Sequence, residues 1–174
     1  GSNIVGHVSD FHFVEHTGFE VEEFTSDFMV DRGELQFQNV DILTSSSQIH
    51  LPYVSVKGDD GWDSYKDFIN DVTINGELYA EKITTDDVAH FAPRLLPWHL
   101  TASDVRAEVS GRVADLKVDI ASMSFGHNSR LVGDVRLRGL PDAKRGRMTL
   151  DIDRLSTNSA DVAELLSAIT GVKI

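Results

Sequence analysis

The feature that most constrains the fold of this chain is a two-residue alternation of apolar and polar side chains along most of its length. Successive side chains of a β-strand point to opposite faces of the sheet, so this period predicts strands with one apolar face. Turn residues such as Asp31-Arg32-Gly33 separate the alternating runs. The sequence therefore predicts an all-β fold of about ten strands, arranged as an antiparallel meander, a sandwich or a barrel.

Two short helices are predicted among the strands. The first covers about residues 85–92, with Thr84 as its cap and Pro93 discouraging its continuation. The second follows a cap at Asn158 and ends before Gly171. Its apolar side chains fall on one helical face: Val162, Leu165, Leu166 and Ile169.

Parts of the chain repeat. Asp87-Val88-Ala89 in the first helix matches Asp161-Val162-Ala163 in the second, and Ser47-Gln48-Ile49 matches Ser129-Arg130-Leu131. A strand motif, apolar-x-Gly-x-apolar, recurs around Gly6, Gly76, Gly111 and Gly133. Unequal offsets between the matches indicate divergent repeats with inserted loops. We predict that residues 1–2 are a purification-tag remnant and that residues 3–174 form a single segment of two repeats, about 3–93 and 94–174.

Composition excludes several functions. The formal net charge of −12 argues against a nucleic-acid partner and against adhesion to anionic lipid headgroups. The chain has no cysteine, which removes thiol nucleophiles, zinc–thiolate sites and disulfides. No apolar run approaches the ~20 residues that a membrane-spanning helix needs.

Candidate catalytic and metal-binding residues form no convincing site. His12 and His16 are four residues apart with Asp10 nearby, but this spacing gathers ligands on a helix rather than on a strand. Asp59-Asp60-Gly61 is typical of a turn and lacks the spaced ligands of a calcium loop. No Gly-x-Ser-x-Gly elbow or phosphate-binding loop is present. We therefore predict no enzymatic activity, no metal and no cofactor.

The repeated glycines have two interpretations. Glycine inside a strand costs about 0.5–1 kcal/mol relative to alanine, so its recurrence needs a reason. The glycines either let the sheet coil and neighbouring backbone approach, or leave the floor of a groove open to an apolar guest. Because both predicted helices are short, the apolar face must fold over itself or be filled by something else.

The order of these motifs resembles the TamB family within the AsmA-like group of proteins. The segments that carry the resemblance are Thr44-Ser45-Ser46-Ser47-Gln48-Ile49, the run Ile83–Pro93, the strand Val109–Leu116, Gly139-Leu140-Pro141-Asp142 and the run Leu155–Val162. The resemblance implies an elongated antiparallel sheet folded over an apolar groove, called a β-taco. It also implies a periplasmic segment of a longer protein that is anchored in the inner membrane of a Gram-negative bacterium.

In that interpretation the groove serves phospholipid transport between membranes, outer-membrane protein assembly and secretion, or both. Its guests would be phospholipid acyl chains or an unfolded outer-membrane β-strand client, and an outer-membrane barrel would be a partner through regions outside this sequence. We predict ten groove-lining residues: Phe11, Phe13, Phe37, Ile42, Ile74, Leu78, Val109, Val113, Leu131 and Val135.

Two alternatives remain open at the level of sequence. The first is a structural or adhesive β-sandwich domain of a surface protein, with a closed core and no transport role. The second is an enzyme or a sugar-binding domain, for which Trp62, Tyr65 and Trp98 are the available aromatic platform.

Overall fold

The computed structural model describes residues 3–14, 18–90, 98–140 and 145–171. Within these ranges the chain forms nine β-strands. They are β1 (Ile4–Val14), β2 (Glu20–Asp31), β3 (Glu34–Leu43), β4 (Gln48–Gly58), β5 (Val72–Thr84), β6 (Thr101–Arg112), β7 (Asp115–Phe125), β8 (Ser129–Arg138) and β9 (Arg147–Ser156).

All nine strands belong to one open antiparallel sheet, in which neighbours in sequence are neighbours in space. Tight turns explain part of this meander. Arg32 and Gly33, which join β2 to β3, have φ values of 46° and 79°. Two successive left-handed residues form the hairpin turn whose twist matches that of the flanking strands. The predicted all-β class is confirmed, with nine strands in the described residues where the sequence predicted about ten.

The helical segments are short and lie between strands or after the last one. A 3-10 helix (Gly61–Asp67) and α1 (Phe68–Asp71) connect β4 to β5, α2 (Thr85–Val88) follows β5, and α3 (Ser159–Thr170) follows β9. The two predicted helices are present, although α2 ends earlier than residue 92, and residues 91–97 lie outside the described ranges. In the described part of the chain, no helix combines the length and apolarity needed to cross a membrane.

Each of α2 and α3 is held by an aspartate that binds the hairpin loop formed two strands earlier. In α2, Asp87 accepts hydrogen bonds from the hydroxyls of Thr44 (2.6 Å) and Ser46 (3.0 Å), in the loop between β3 and β4. Its own amide donates to the cap hydroxyl of Thr84 at 3.3 Å. The acid therefore ties a helix start to a loop more than forty residues away.

Asp161 of α3 makes the corresponding contacts more completely. Its carboxylate accepts from the amides of His127 (2.9 Å) and Asn128 (3.0 Å) and from the hydroxyl of Ser129 (2.6 Å), all at the turn between β7 and β8. It also accepts from the side chain of its cap, Asn158, at 3.0 Å. These donors hold the pKa of Asp161 well below its ordinary value, because each favours the charged form.

Cross-strand pairing sorts the side chains onto two faces. Residues directly opposite one another share a face, and one complete row across the sheet is Ile4, Val30, Leu35, Val56, Ile74, Gly111, Leu116, Leu137 and Met148. A second row on the same face is Gly6, Phe28, Phe37, Val54, Gly76, Val109, Val118, Val135 and Leu150. We call the face that carries these two rows the apolar face.

The opposite face is polar and contains a row of neighbouring acids. Glu77, Glu108, Asp119, Asp134 and Asp151 lie opposite one another on β5 to β9. Like charges in directly opposite positions destabilise a sheet. We call these five residues the acidic row.

Bulges interrupt the pairing along a line that crosses the sheet. The register shifts lie between Val8 and Phe11 in β1, between Ser103 and Arg106 in β6 and between Ile120 and Met123 in β7, with others in β2, β4 and β9. Three strands carry a residue with positive φ at this level: Asp10, Asn39 and Asp104. An extra residue bends its strand and raises the local twist, so the sheet is bent along this line.

The side-chain network of Asp161 leads to a stability prediction. Asp161→Asn should lower the melting temperature by several degrees, because the new amide group places hydrogens among backbone and hydroxyl donors. Asp153→Asn, an equal change on the exposed strand β9, is the control and should have little effect. Thermal unfolding monitored by circular dichroism measures both.

The same variant has a defined pH dependence. The folded-state pKa of Asp161 is depressed, so its contribution is complete above the ordinary value of 3.8 and is lost as the pH falls through the folded value. The stability difference between wild type and Asp161→Asn should therefore be constant near neutrality and shrink only in acid. A difference that shrinks between neutral and alkaline pH would contradict this assignment.

The acidic row predicts a stabilising substitution. Asp134 lies between Asp119 and Asp151 on adjacent strands, and removing its charge relieves repulsion on both sides. Asp134→Asn should raise the free energy of unfolding by about 0.5 kcal/mol in low salt. The gain should fall in about 1 M sodium chloride, where exposed charges are screened; an unchanged gain would assign the effect to something other than charge. Denaturant titration measures both values.

Candidate functional site

The apolar face is the most extensive feature of the molecule that calls for a function. Beyond the two complete rows, pairing continues the face past the line of bulges. Phe24 lies opposite both Phe11 and Ile42, Ile49 lies opposite Ala80, and Met123 lies opposite Leu131. In the described residues no second sheet packs against this face, since all nine strands belong to one sheet.

The side chains of the apolar face differ from one end of the sheet to the other. The β1–β3 end is aromatic: the ring centroids of Phe11 and Phe13 are 5.7 Å apart, and those of Phe13 and Phe24 are 6.3 Å apart in an edge-to-face arrangement. On β4 to β9 the two complete rows contain only aliphatic side chains and glycine. Rigid rings therefore line one end and flexible or branched chains line the other.

Burial divides the face into a closed middle and open ends. Ala80, Val105, Ala107, Ile120 and Leu131 form a cluster of buried residues on β5 to β8. Toward the edges the side chains are exposed: Phe11 on β1 keeps 54% of its surface in solvent. On β9 the four apolar side chains Met148, Leu150, Ile152 and Leu155 are 46–49% exposed.

Most of the ten predicted groove residues lie on this face. Phe37, Val109 and Val135 are in one complete row and Ile74 is in the other. Phe11 and Ile42 both lie opposite Phe24, Leu78 lies opposite Ala107, and Phe13, which contacts the Phe24 ring, continues the aromatic end.

Two predicted groove residues are placed differently. Val113 lies in the turn between β6 and β7, because the alternation that put it on the face stops at Arg112. Leu131 is on the face but only 6% exposed, so it belongs to the buried cluster.

Several residues of the face were missed by the sequence analysis. Phe24 and Phe28 are the largest of them. Both rings continue the phase of Val30, whereas Val21 has the opposite phase, because β2 carries an extra residue between Val21 and Phe24. Their pairing with Phe11 and Phe37 shows that this is the apolar face.

The repeated glycines allow close contact within the sheet. A side chain at Gly76 would meet the carbonyl oxygen of Tyr53, and one at Gly133 would meet the backbone of Asp151. At Gly6 the space is already filled by the ring of Phe28. These contacts favour the interpretation in which glycine lets neighbouring strands and side chains approach, rather than the one in which it leaves the floor open to a guest.

The alternative chemistry gains no support from the geometry. His12 contacts Glu20 at 2.8 Å, while His16 lies outside the described residues. His50 contacts Asp41 at 2.7 Å in a shallow hollow of the polar face. In the part of the chain that the structure describes, no three histidine or acidic side chains are grouped to hold a metal ion.

The aromatic residues of the β4–β5 connection have a packing role. The Tyr65 hydroxyl donates to the carbonyl oxygens of Gly33 (2.9 Å) and Val56 (2.8 Å), which pins the 3-10 helix to the end of the sheet. The Trp62 ring lies against Tyr65 with centroids 5.2 Å apart. A ring pair that fixes a connection does not form a sugar-binding platform by itself.

Comparison with known proteins identifies no relative of this chain. The chain matches no family model, no curated protein and no solved structure. The function must therefore be argued from the apolar face itself.

Proposed function

We propose that the apolar face binds the acyl chains of phospholipids and that the chain is a periplasmic, β-taco segment of a TamB-like protein. The observation that carries this proposal is the pair of uninterrupted apolar rows across nine strands, with no second layer over them in the described residues. The shape in which the sheet folds over its guest is part of the proposal.

The dimensions of the sheet suit such a ligand. Adjacent strands are about 4.8 Å apart, so nine strands extend roughly 38 Å across the sheet. One leaflet of a bilayer contributes about half of the ~30 Å hydrocarbon core. An acyl chain laid across the strands would therefore contact the sheet along its whole length. It would also have room to move from one strand to the next.

The energetics favour a guest that slides. Removing a methylene group from water contributes about 0.8 kcal/mol. Each complete row offers an apolar or glycine position on every strand, so a chain that shifts by one strand exchanges one such contact for another. The polar face, including the acidic row, keeps the other side of the sheet in water.

A closed sandwich explains the structure less well. It needs two sheets whose apolar faces cover each other, whereas the described strands form one. The exposed side chains of β1 and β9 would also be unusual in a closed core. In the proposed setting a longer protein, anchored in the inner membrane and paired with an outer-membrane barrel, would carry this segment.

A second candidate ligand is an unfolded outer-membrane β-strand client. The observation in its favour is β9, an edge strand in which all ten residues are exposed. Such an edge offers unpaired backbone groups to an incoming strand. The two ligands differ in what they contact: acyl chains use side chains of the apolar face, and a strand uses the backbone of the edge.

The lipid proposal is tested by a charge placed on the face. Val109→Glu puts a carboxylate in the middle of a complete row, and we expect it to weaken binding of a fluorescent phospholipid by about tenfold or more, because the charge must be desolvated under the acyl chain. Ser110→Glu adds the same group to the next residue, which faces the other side. Equal retention of lipid by both variants, once each is shown to be folded, would remove the proposal.

The open face also predicts binding of an apolar dye by the native protein. A solvatochromic dye such as anilinonaphthalene sulfonate should fluoresce with the folded chain and lose that signal when the sheet melts. A closed sandwich should show no signal before unfolding. Fluorescence and circular dichroism recorded during one thermal scan distinguish the two, and a signal that appears only at the transition would favour the sandwich.

A further inference from the structure

The two outer strands of the sheet differ in how readily their free edges could pair. In β1 the register with β2 shifts twice, and Asp10 at the first shift has a φ of 53°. Such irregularities protect an edge strand from pairing with another chain. In β9 the register with β8 is unbroken from Arg147 to Ile152, and this exposed stretch contains no lysine, proline or glycine. The edge of β9 can therefore accept a further strand.

β9 has the same position in its half of the sheet as β5 has in the other half. α2 follows β5 and α3 follows β9, and Asp87 and Asp161 bond the first turns of these helices to the hairpin loops two strands earlier. The outer edge of β5 is paired with β6 from Thr73 to Thr84. In the described residues the outer edge of β9 has no such partner. This equivalence argues that the edge of β9 also takes an antiparallel strand.

The sequence of β9 is complementary to itself about Leu150. A twofold axis perpendicular to the sheet at this residue would place each residue of one copy opposite the residue at the same distance beyond Leu150 in a second copy. The pairs formed in this way are Met148 with Ile152, both apolar, Thr149 with Asp151, and Arg147 with Asp153, of opposite charge. Each pair occurs twice, with apolar pairs on one face and the arginine–aspartate pairs on the other.

Neighbouring registers are less favourable. An axis at Asp151 places that carboxylate opposite its own copy, and an axis at Ile152 places Asp151 opposite Asp153 in both directions. Like charges in directly opposite positions destabilise a sheet. An axis at Thr149 shortens the paired stretch by two residues on each strand. The patterns of charge and of apolar side chains therefore favour the same register, the one centred on Leu150.

The two charged groups that this register pairs are available. Within the residues that the structure describes, neither Arg147 nor Asp153 forms an ion pair. The residue opposite Arg147 in β8 is Arg138, which has the same charge. A carboxylate from a second copy would therefore relieve a repulsion that is present in the single sheet.

We propose that two copies of this chain pair antiparallel through their β9 strands, about a twofold axis at Leu150. Because the axis is perpendicular to the sheet, the apolar faces of both copies lie on the same side and form one continuous surface. A single strand pair is a small interface, so the dimer is weak and forms at high protein concentration. The proposal goes beyond lipid binding and does not rest on it, since it uses the edge of the sheet rather than the apolar face.

The experiment is sedimentation equilibrium of the whole chain over a series of protein concentrations. Wild type should show a monomer–dimer equilibrium. Arg147→Glu and Asp153→Arg should each raise the dissociation constant of the dimer by about tenfold or more, because each places like charges opposite one another twice. The double variant Arg147→Glu/Asp153→Arg should return it to near the wild-type value. Arg154→Glu makes the same charge change opposite the uncharged Gly146 and should have little effect.

Thermal unfolding at low protein concentration separates lost pairing from lost folding. Arg147→Glu replaces a like-charged pair with Arg138 by an oppositely charged one, so its melting temperature should be no lower than that of wild type. A wild type that stays monomeric at every concentration would overturn the proposal and leave the edge of β9 to a client strand. Single variants that dimerise as wild type does, or a double variant that does not recover, would also overturn it, because the copies would then meet in another way.

Discussion

The structure depends on the constraint that pairing register places on side-chain direction. Because the period of a strand is two residues, a slip of one residue would move every apolar side chain of that strand to the polar face. Each bulge introduces such a phase change within a strand. In β3 the apolar positions are Leu35 and Phe37 before Asn39, and Val40 and Ile42 after it. The apolar residues of β3 change phase at the same point as the bulge. One face of the strand therefore stays apolar along its whole length.

The helices are small compared with the sheet, yet the first turns of α2 and α3 are bonded to its hairpin loops. Asp87 and Asp161 each join the start of a helix to the hairpin loop formed two strands before it. The donors differ: hydroxyls of Thr44 and Ser46 serve the first, whereas two backbone amides and Ser129 serve the second. The common arrangement explains why the sequence matches fall in those loops and helix starts, where a carboxylate needs donors at fixed positions.

The sequence predicted what depends on local pattern. Alternation gave the all-β class and most of the strands, and cap spacing at Thr84 and Asn158 gave the starts of α2 and α3, where both side chains accept from the third residue on. The features that the sequence did not predict depend on long-range pairing. Val113 lies in a turn although it continues the alternation, and Leu131 is buried although it lies on the correct face. Phe28 was missed because β2 changes phase between Val21 and Phe24.

The distribution of charge over the two faces also depends on long-range pairing. The total of −12 describes the whole chain and does not show where its charges lie. Pairing separates the charges instead: it aligns five acids along one row and places Arg138 opposite Arg147 at the end of the sheet. A ligand meets this local arrangement rather than the sum. Arg138 and Arg147 lie on the polar face together with the acidic row, and the apolar side chains lie on the other face, an arrangement that the net charge alone does not imply.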